Sequence, residues 1–111
     1  MGFDYRFWVW IIRERLGVSV ESQMVALDIL DKARERRITA GRNPKCLAAA
    51  ALYIACLQNA CSGVTIPYPC CEVERHMSYR VLGVAAGVSL SSVGKNTHFL
   101  FRKLNLTLGD W

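Results

Sequence analysis

Pro44-Lys45-Cys46-Leu47-Ala48-Ala49-Ala50-Ala51-Leu52-Tyr53-Ile54-Ala55-Cys56-Leu57 is the stretch from which the fold is read. The apolar run from Cys46 to Leu57 is twelve residues, well short of the ~18 or more that span a bilayer. Leu47, Ala50, Ala51, Ile54 and Leu57 recur at helical spacing, while Ala48, Ala49 and Ala55 cover the other sides with small side chains. Neighbours can approach such a helix from several directions, so it is expected at the centre of a helical bundle. Just upstream, Gly41 offers a turn, Asn43 is placed to cap the helix and Pro44 fits its first turn.

Working outward towards the N-terminus, Phe3 to Leu16 reads as a helix with Phe7, Ile11 and Arg15 or Leu16 on one face, stopped by Gly17. Trp8, Val9 and Trp10 make it apolar on more than one side, which implies deep burial or contact with something outside the chain. Trp8 and Trp10 are therefore candidate protein-interface residues. A second helix starts at Ser19, with Met24, Leu27, Leu30 and Ala33 or Arg34 as the expected buried stripe and Asp28, Asp31, Lys32 and Glu35 on the wet side.

Towards the C-terminus, residues 58–78 hold three Cys, two Pro and a Gly without periodicity, and read as a long irregular connection. Val64-Thr65-Ile66 is the lone strand candidate. Tyr79 to Ala86 forms a short helical pattern that Gly87 breaks. Ser89 can then cap a last helix with Val93, Thr97, Leu100, Phe101 and Leu104 inside. The expectation is a single all-α domain of five helices over residues 1–111.

Composition narrows the function classes. The chain has 111 residues, 52% of them hydrophobic and 21% charged, which excludes a disordered tail or a linker protein. A formal net charge of +5 favours polyanionic partners. The apolar run Phe7 to Ile12 is short and no small-residue cleavage site follows it, so an intracellular protein with no membrane partner is expected. Five Cys is an odd number and argues against a secreted disulfide framework. Cys61, Cys70 and Cys71 with Cys56 or His76 lack paired metal-ligand spacing, so no metal is expected; a disulfide from Cys61 to Cys70 or Cys71 stays open beside reduced thiols. His76 and His98 are isolated and there is no phosphate-cradling Gly-rich loop, so neither enzyme nor cofactor is expected.

A short helix, a tight turn with Gly and a capped second helix follow the helix-turn-helix plan, in which the second helix enters the major groove by its N-terminal residues. On that plan Ser91, Ser92, Lys95 and, partly, Asn96 point away from the packed face, with hydroxyl, ammonium and amide groups suited to bases or phosphates. From Arg75 to Lys103 there are five basic residues and no acidic one. The same pattern also fits plain packed structure. A second basic cluster comprises Lys32, Arg34, Arg36, Arg37, Arg42 and Lys45, interrupted by Glu35; it reads either as a solvated helix end or as a phosphate-contacting surface. The two clusters act together only if the fold brings them to one side.

The stretch from Ala33 to Cys56, with Arg36-Arg37-Ile38-Thr39-Ala40-Gly41-Arg42-Asn43-Pro44 leading into Ala48-Ala49-Ala50-Ala51-Leu52-Tyr53-Ile54-Ala55-Cys56, resembles the cyclin-like repeat of the general transcription factor B family (archaeal TFB and eukaryotic TFIIB). Val84 to Val93 and Arg102-Lys103-Leu104-Asn105-Leu106 resemble the end of that repeat, most closely the second repeat of the archaeal proteins. Phe3-Asp4-Tyr5 and Leu16-Gly17-Val18 fit its beginning, and the resemblance makes residues 58–78 an irregular insertion. The resemblance implies a five-helix cyclin fold centred on the Ala-rich helix, with the last two helices as the helix-turn-helix. It also implies promoter DNA beside a TATA element, the TATA-binding protein, and RNA polymerase or a missing N-terminal part of the same factor as partners. Base-reading positions would fall on Ser91, Ser92, Gly94 and Lys95, and phosphate contacts on Arg42, Lys45 and Arg80. Gly94 departs from the family pattern, since it has no side chain to reach a base. The competing reading is a cyclin-like adaptor that binds protein and not DNA.

Overall fold

Five helices occupy most of the residues that the computed structural model describes, which are 5–39, 41–60 and 78–104. They are α1 (Tyr5–Leu16), α2 (Val20–Glu35), α3 (Pro44–Ala60), α4 (Tyr79–Ala86) and α5 (Leu90–Leu104). No strand occurs among the described residues. The fold is the expected all-α one, with α3 at its centre touching each of the other four helices. Ala48, Ala49, Ala50, Ala51, Leu52, Ile54 and Ala55 are all fully buried. A methyl group on nearly every side keeps α3 slender, so four neighbours can pack round it at native density.

The helix ends follow their local chemistry. Asn43 Oδ1 accepts the Lys45 N–H at 2.9 Å, Ser19 Oγ the Ser22 N–H at 3.2 Å and Ser78 Oγ the Val81 N–H at 3.2 Å. Each removes one orphan donor from a first turn. After α1, Gly17 takes φ +70° and its N–H reaches the Arg13 carbonyl at 2.8 Å, the left-handed stop that glycine permits. α3 continues through Ala60, so the first three residues of the expected insertion 58–78 are helical. Ser78, its last, is the N-cap of α4. The rest of that segment, with Val64-Thr65-Ile66 and Cys61, Cys70, Cys71 and His76, lies outside the described residues.

Two expected stripes are corrected. In α1 the buried residues are Tyr5, Val9 and Ile12, whereas Phe7 and Ile11 are only half-buried. In α2 they are Ser22, Ala26, Ile29, Leu30 and Ala33, and Met24 is 65% exposed. Closeness of approach decided the α2 face: Ser22, Ala26 and Ala33 let it lie against the slender α3, and the bulkier Met24 turns outward. α1 and α2 are tied at one end by Asp31, which accepts the Tyr5 hydroxyl at 2.9 Å and both oxygens of which take Arg6 Nη2, at 2.9 and 3.1 Å. Burial first, and then the Asp31 carboxylate, push the Tyr5 phenol above its ordinary value.

Candidate nucleic-acid interface

α4 and α5 meet through a turn that requires glycine at two positions. Gly87 adopts φ +74° and closes α4, its N–H reaching back to the Val84 carbonyl at 3.3 Å. Gly83 packs so tightly that a Cβ there would stand 2.8 Å from the Val88 carbonyl oxygen. Ser89 caps α5, its Oγ accepting the Ser92 N–H at 3.1 Å. Arg15 of α1 donates to the Ala85 carbonyl, placing a cation at the negative end of α4.

Of the residues expected to face the groove, Ser91 and Lys95 are exposed on α5. Ser92 is half-buried and accepts the Ser89 hydroxyl at 2.9 Å. Burial pushes the Cys46 thiol above its ordinary value, with a hydrogen bond to Ser92 and the nearby Lys45 charge acting against it. Asn96 is buried, and its Nδ2 donates to the Ser92 carbonyl at 2.8 Å. Asn96, expected to point partly outward, is thus turned further inward than that, one helical turn beyond Ser92.

Gly94 is buried too, and a Cβ on it would meet the Tyr79 ring at 3.3 Å. It is a packing glycine at the contact between α4 and α5. Tyr79 in turn packs tilted against Tyr53 with centroids 4.5 Å apart, and burial pushes its phenol up. Gly94→Ala is expected to change stability by no more than about 1 kcal/mol, because the gain in helix propensity offsets a small displacement of the ring; thermal unfolding of the variant checks this.

The outer face of α5 also carries His98 and Arg102, both exposed. With Ser91 and Lys95 they form a stripe at i, i+4, i+7 and i+11. Spacing alone could have found them, since that is the helical period counted from Ser91.

Two residues of the second basic cluster, Arg42 and Arg36, dock on α5, the helix that carries Lys95, Arg102 and Lys103 of the first. Arg42 lies with its guanidinium carbon 3.3 Å from the Phe99 ring centroid and donates to Asn96 Oδ1 at 3.1 Å. Arg36 donates to the Lys103 carbonyl at 3.0 Å, at the C-terminal end of α5, where a cation is favoured. Lys45 rests over the Trp8 ring at 4.7 Å from its centroid. Arg80 is exposed at the start of α4. A cleft of about 300 Å³ beside Arg42 is lined by Tyr5, Arg34, Thr39, Pro44 and Leu47. Of the two candidate interface tryptophans, Trp10 is 48% exposed, whereas Trp8 is half-buried and already carries Lys45.

The family model for the transcription factor TFIIB repeat matches residues 9–64, the span from α1 through α3 that builds the central packing. The chain belongs to the TFIIB repeat family. A transcription initiation factor IIB of Pyrobaculum neutrophilum is 34% identical over 103 residues, covering 93% of this chain and 27% of that protein. Its counterpart from Pyrobaculum aerophilum is 36% identical over 95 residues, 86% of this chain and 24% of that protein. That of Sulfurisphaera tokodaii is 46% identical over 56 residues, 50% of this chain and 18% of that protein. The chain thus spans about a quarter of the length of the two Pyrobaculum relatives. Among the described residues of this repeat no helix is long and apolar enough to cross a membrane, and no group of three or more His, Cys, Asp or Glu could hold a metal ion.

Proposed function

We propose that this TFIIB-like repeat, folded as one domain over residues 1–111, binds double-stranded promoter DNA beside a TATA element together with the TATA-binding protein. It acts inside the cell in transcription initiation, with RNA polymerase or a preceding part of the same factor as a further partner, and without enzymatic activity. The observation that carries the reading is the docking of Arg42 and Arg36 on α5, the helix that carries Lys95, Arg102 and Lys103, through Arg42 on Asn96 and Phe99 and through Arg36 on the Lys103 carbonyl. A helix-turn-helix with cations on both sides has the charge distribution that a duplex requires. In this reading α5 enters the major groove with Ser91 and Lys95 nearest the bases. Ser92 supports the cap, and Arg42, Lys45 and Arg80 take phosphates.

The test is fluorescence anisotropy on a labelled TATA-containing duplex, with and without TATA-binding protein, against a scrambled duplex and across a salt series. Tighter binding to the promoter duplex that depends on the TATA-binding protein is the expected result. Lys95→Ala is expected to weaken binding and to lower the salt slope by about one if Lys95 meets a phosphate. If it meets a base, the loss concentrates on the promoter duplex.

A second reading, a protein-docking adaptor, is favoured by one feature. A cleft of about 500 Å³ between α1 and α4 is lined by Arg15, Leu16, Arg80, Val81, Val84 and Ala85, and Val84 is 78% exposed. Absence of duplex binding at low salt would overturn the DNA reading in favour of this one.

A further inference from the structure

We propose that Asn96 and Phe99 are positioning residues that hold the Arg42 guanidinium as a preset ligand for a backbone phosphate of the duplex, an inference that rests on the duplex-binding reading above. Arg42 belongs to the connector between α2 and α3, next to Gly41 at φ +77°, where its own N–H closes a turn on the Thr39 carbonyl at 3.2 Å. An exposed arginine on such a connector ordinarily samples many rotamers, and ordering it on a ligand costs entropy. Here the ordering is done on folding, by two contacts from α5: the Phe99 face at 3.3 Å and Asn96 Oδ1 at 3.1 Å, across 54 residues of sequence.

Asn96 is itself held. Its Nδ2 is engaged by the Ser92 carbonyl, which leaves Oδ1 as the atom turned to Arg42, and an acceptor is the only partner a guanidinium can use. Both partners are neutral, and among the described residues no carboxylate pairs with Arg42. Arg6 shows the contrast, since it is bound to the Asp31 carboxylate. An arginine held by a carboxylate has its charge compensated; one held by an amide and a ring is fixed in place with its charge undiminished and further N–H groups left for a phosphate oxygen. Lys45 repeats the construction on the Trp8 ring, so the cations on either side of Asn43-Pro44 are both seated on aromatic faces.

The experiment compares wild type, Arg42→Ala, Asn96→Leu, Phe99→Leu and Phe99→Trp, and the Arg42→Ala double variants, in duplex anisotropy across a salt series. Arg42→Ala is expected to reduce the salt slope by about one. Asn96→Leu and Phe99→Leu are expected to weaken low-salt binding roughly three- to tenfold, Phe99→Trp to retain it, and neither leucine variant to weaken binding further when Arg42 is absent. In the free protein, NMR is expected to show the Arg42 side-chain protons shifted upfield by the Phe99 ring; Phe99→Leu removes the shift and Phe99→Trp preserves it. That readout is independent of DNA and covers the case in which Asn96→Leu does not fold. If wild type binds the duplex but Asn96→Leu and Phe99→Leu weaken it equally with and without Arg42, or if the upfield shift is absent, the positioning role is overturned while the duplex reading stands. If the shift is present and wild type binds no duplex at low salt, the duplex reading falls and the phosphate role with it.

Discussion

Gly83→Ala is expected to destabilise the repeat by about 3 kcal/mol, the upper part of the usual range for forcing an extra methyl into a packed site. The added Cβ would stand 2.8 Å from the Val88 carbonyl oxygen, 3.4 Å from Leu90 N and 3.5 Å from the Ser89 carbonyl carbon. All three are backbone atoms of the turn and the start of α5, so no side chain can swing aside to make room. The turn itself must open, which would tilt α5 away from α4 and strain the Gly87 stop and the Ser89 cap. Thermal unfolding reads the effect directly, since each kcal/mol lowers the midpoint of a domain this size by roughly 4–8 °C. An unchanged midpoint would show that the turn yields freely and that the close approach is incidental. Gly94→Ala is the internal control: its new methyl meets only the Tyr79 ring, which can shift by a few tenths of an ångström.

Leu100→Ala is expected to cost about 2–5 kcal/mol, the range for deleting a fully buried leucine where the surroundings collapse only partly. Leu100 is fully buried in the common core cluster with Val93, Leu104 and the alanines of α3. Urea unfolding should show a lower midpoint with an unchanged slope, because the variant loses packing without changing the surface exposed on unfolding. Lys95→Ala, on the opposite face of the same helix, is expected to leave the midpoint unchanged. Together the two variants separate the side of α5 that holds the fold from the side assigned to DNA. A Leu100→Ala midpoint equal to wild type would contradict the placement of α5 against α3.

Much of this was legible before any tertiary structure. The Ala-rich run pointed to a central helix, because small apolar residues at helical spacing on every side let neighbours approach from several directions. Asn43, Ser19 and Ser89 announced helix starts, and Gly17 and Gly87 helix ends, since capping depends on residues within one turn of each other. Where the sequence offered several apolar faces the period was ambiguous. α1 is apolar almost all round, so Phe7 and Ile11 were as plausible inside as Tyr5, Val9 and Ile12. In α2 hydrophobicity pointed to Met24, while the fold chose Ser22 and Ala26 because they are small.

The candidate site divides in the same way. Lys95 and Ser91 were placed correctly outward by counting from the cap, and Lys45 and Arg42 were singled out by charge. Nothing in the sequence relates Arg42 to Asn96 and Phe99, or Lys45 to Trp8, because those pairs lie far apart along the chain and meet only when α1, α3 and α5 are packed. The inward turn of Asn96 and the burial of Gly94 against Tyr79 have the same origin. Helix identity, caps and the central position of α3 followed from local chemistry and periodicity, which act over a few residues. Which face of each helix is buried, and which cations are held on which rings, was decided by packing alone, since those contacts exist only between elements distant in sequence.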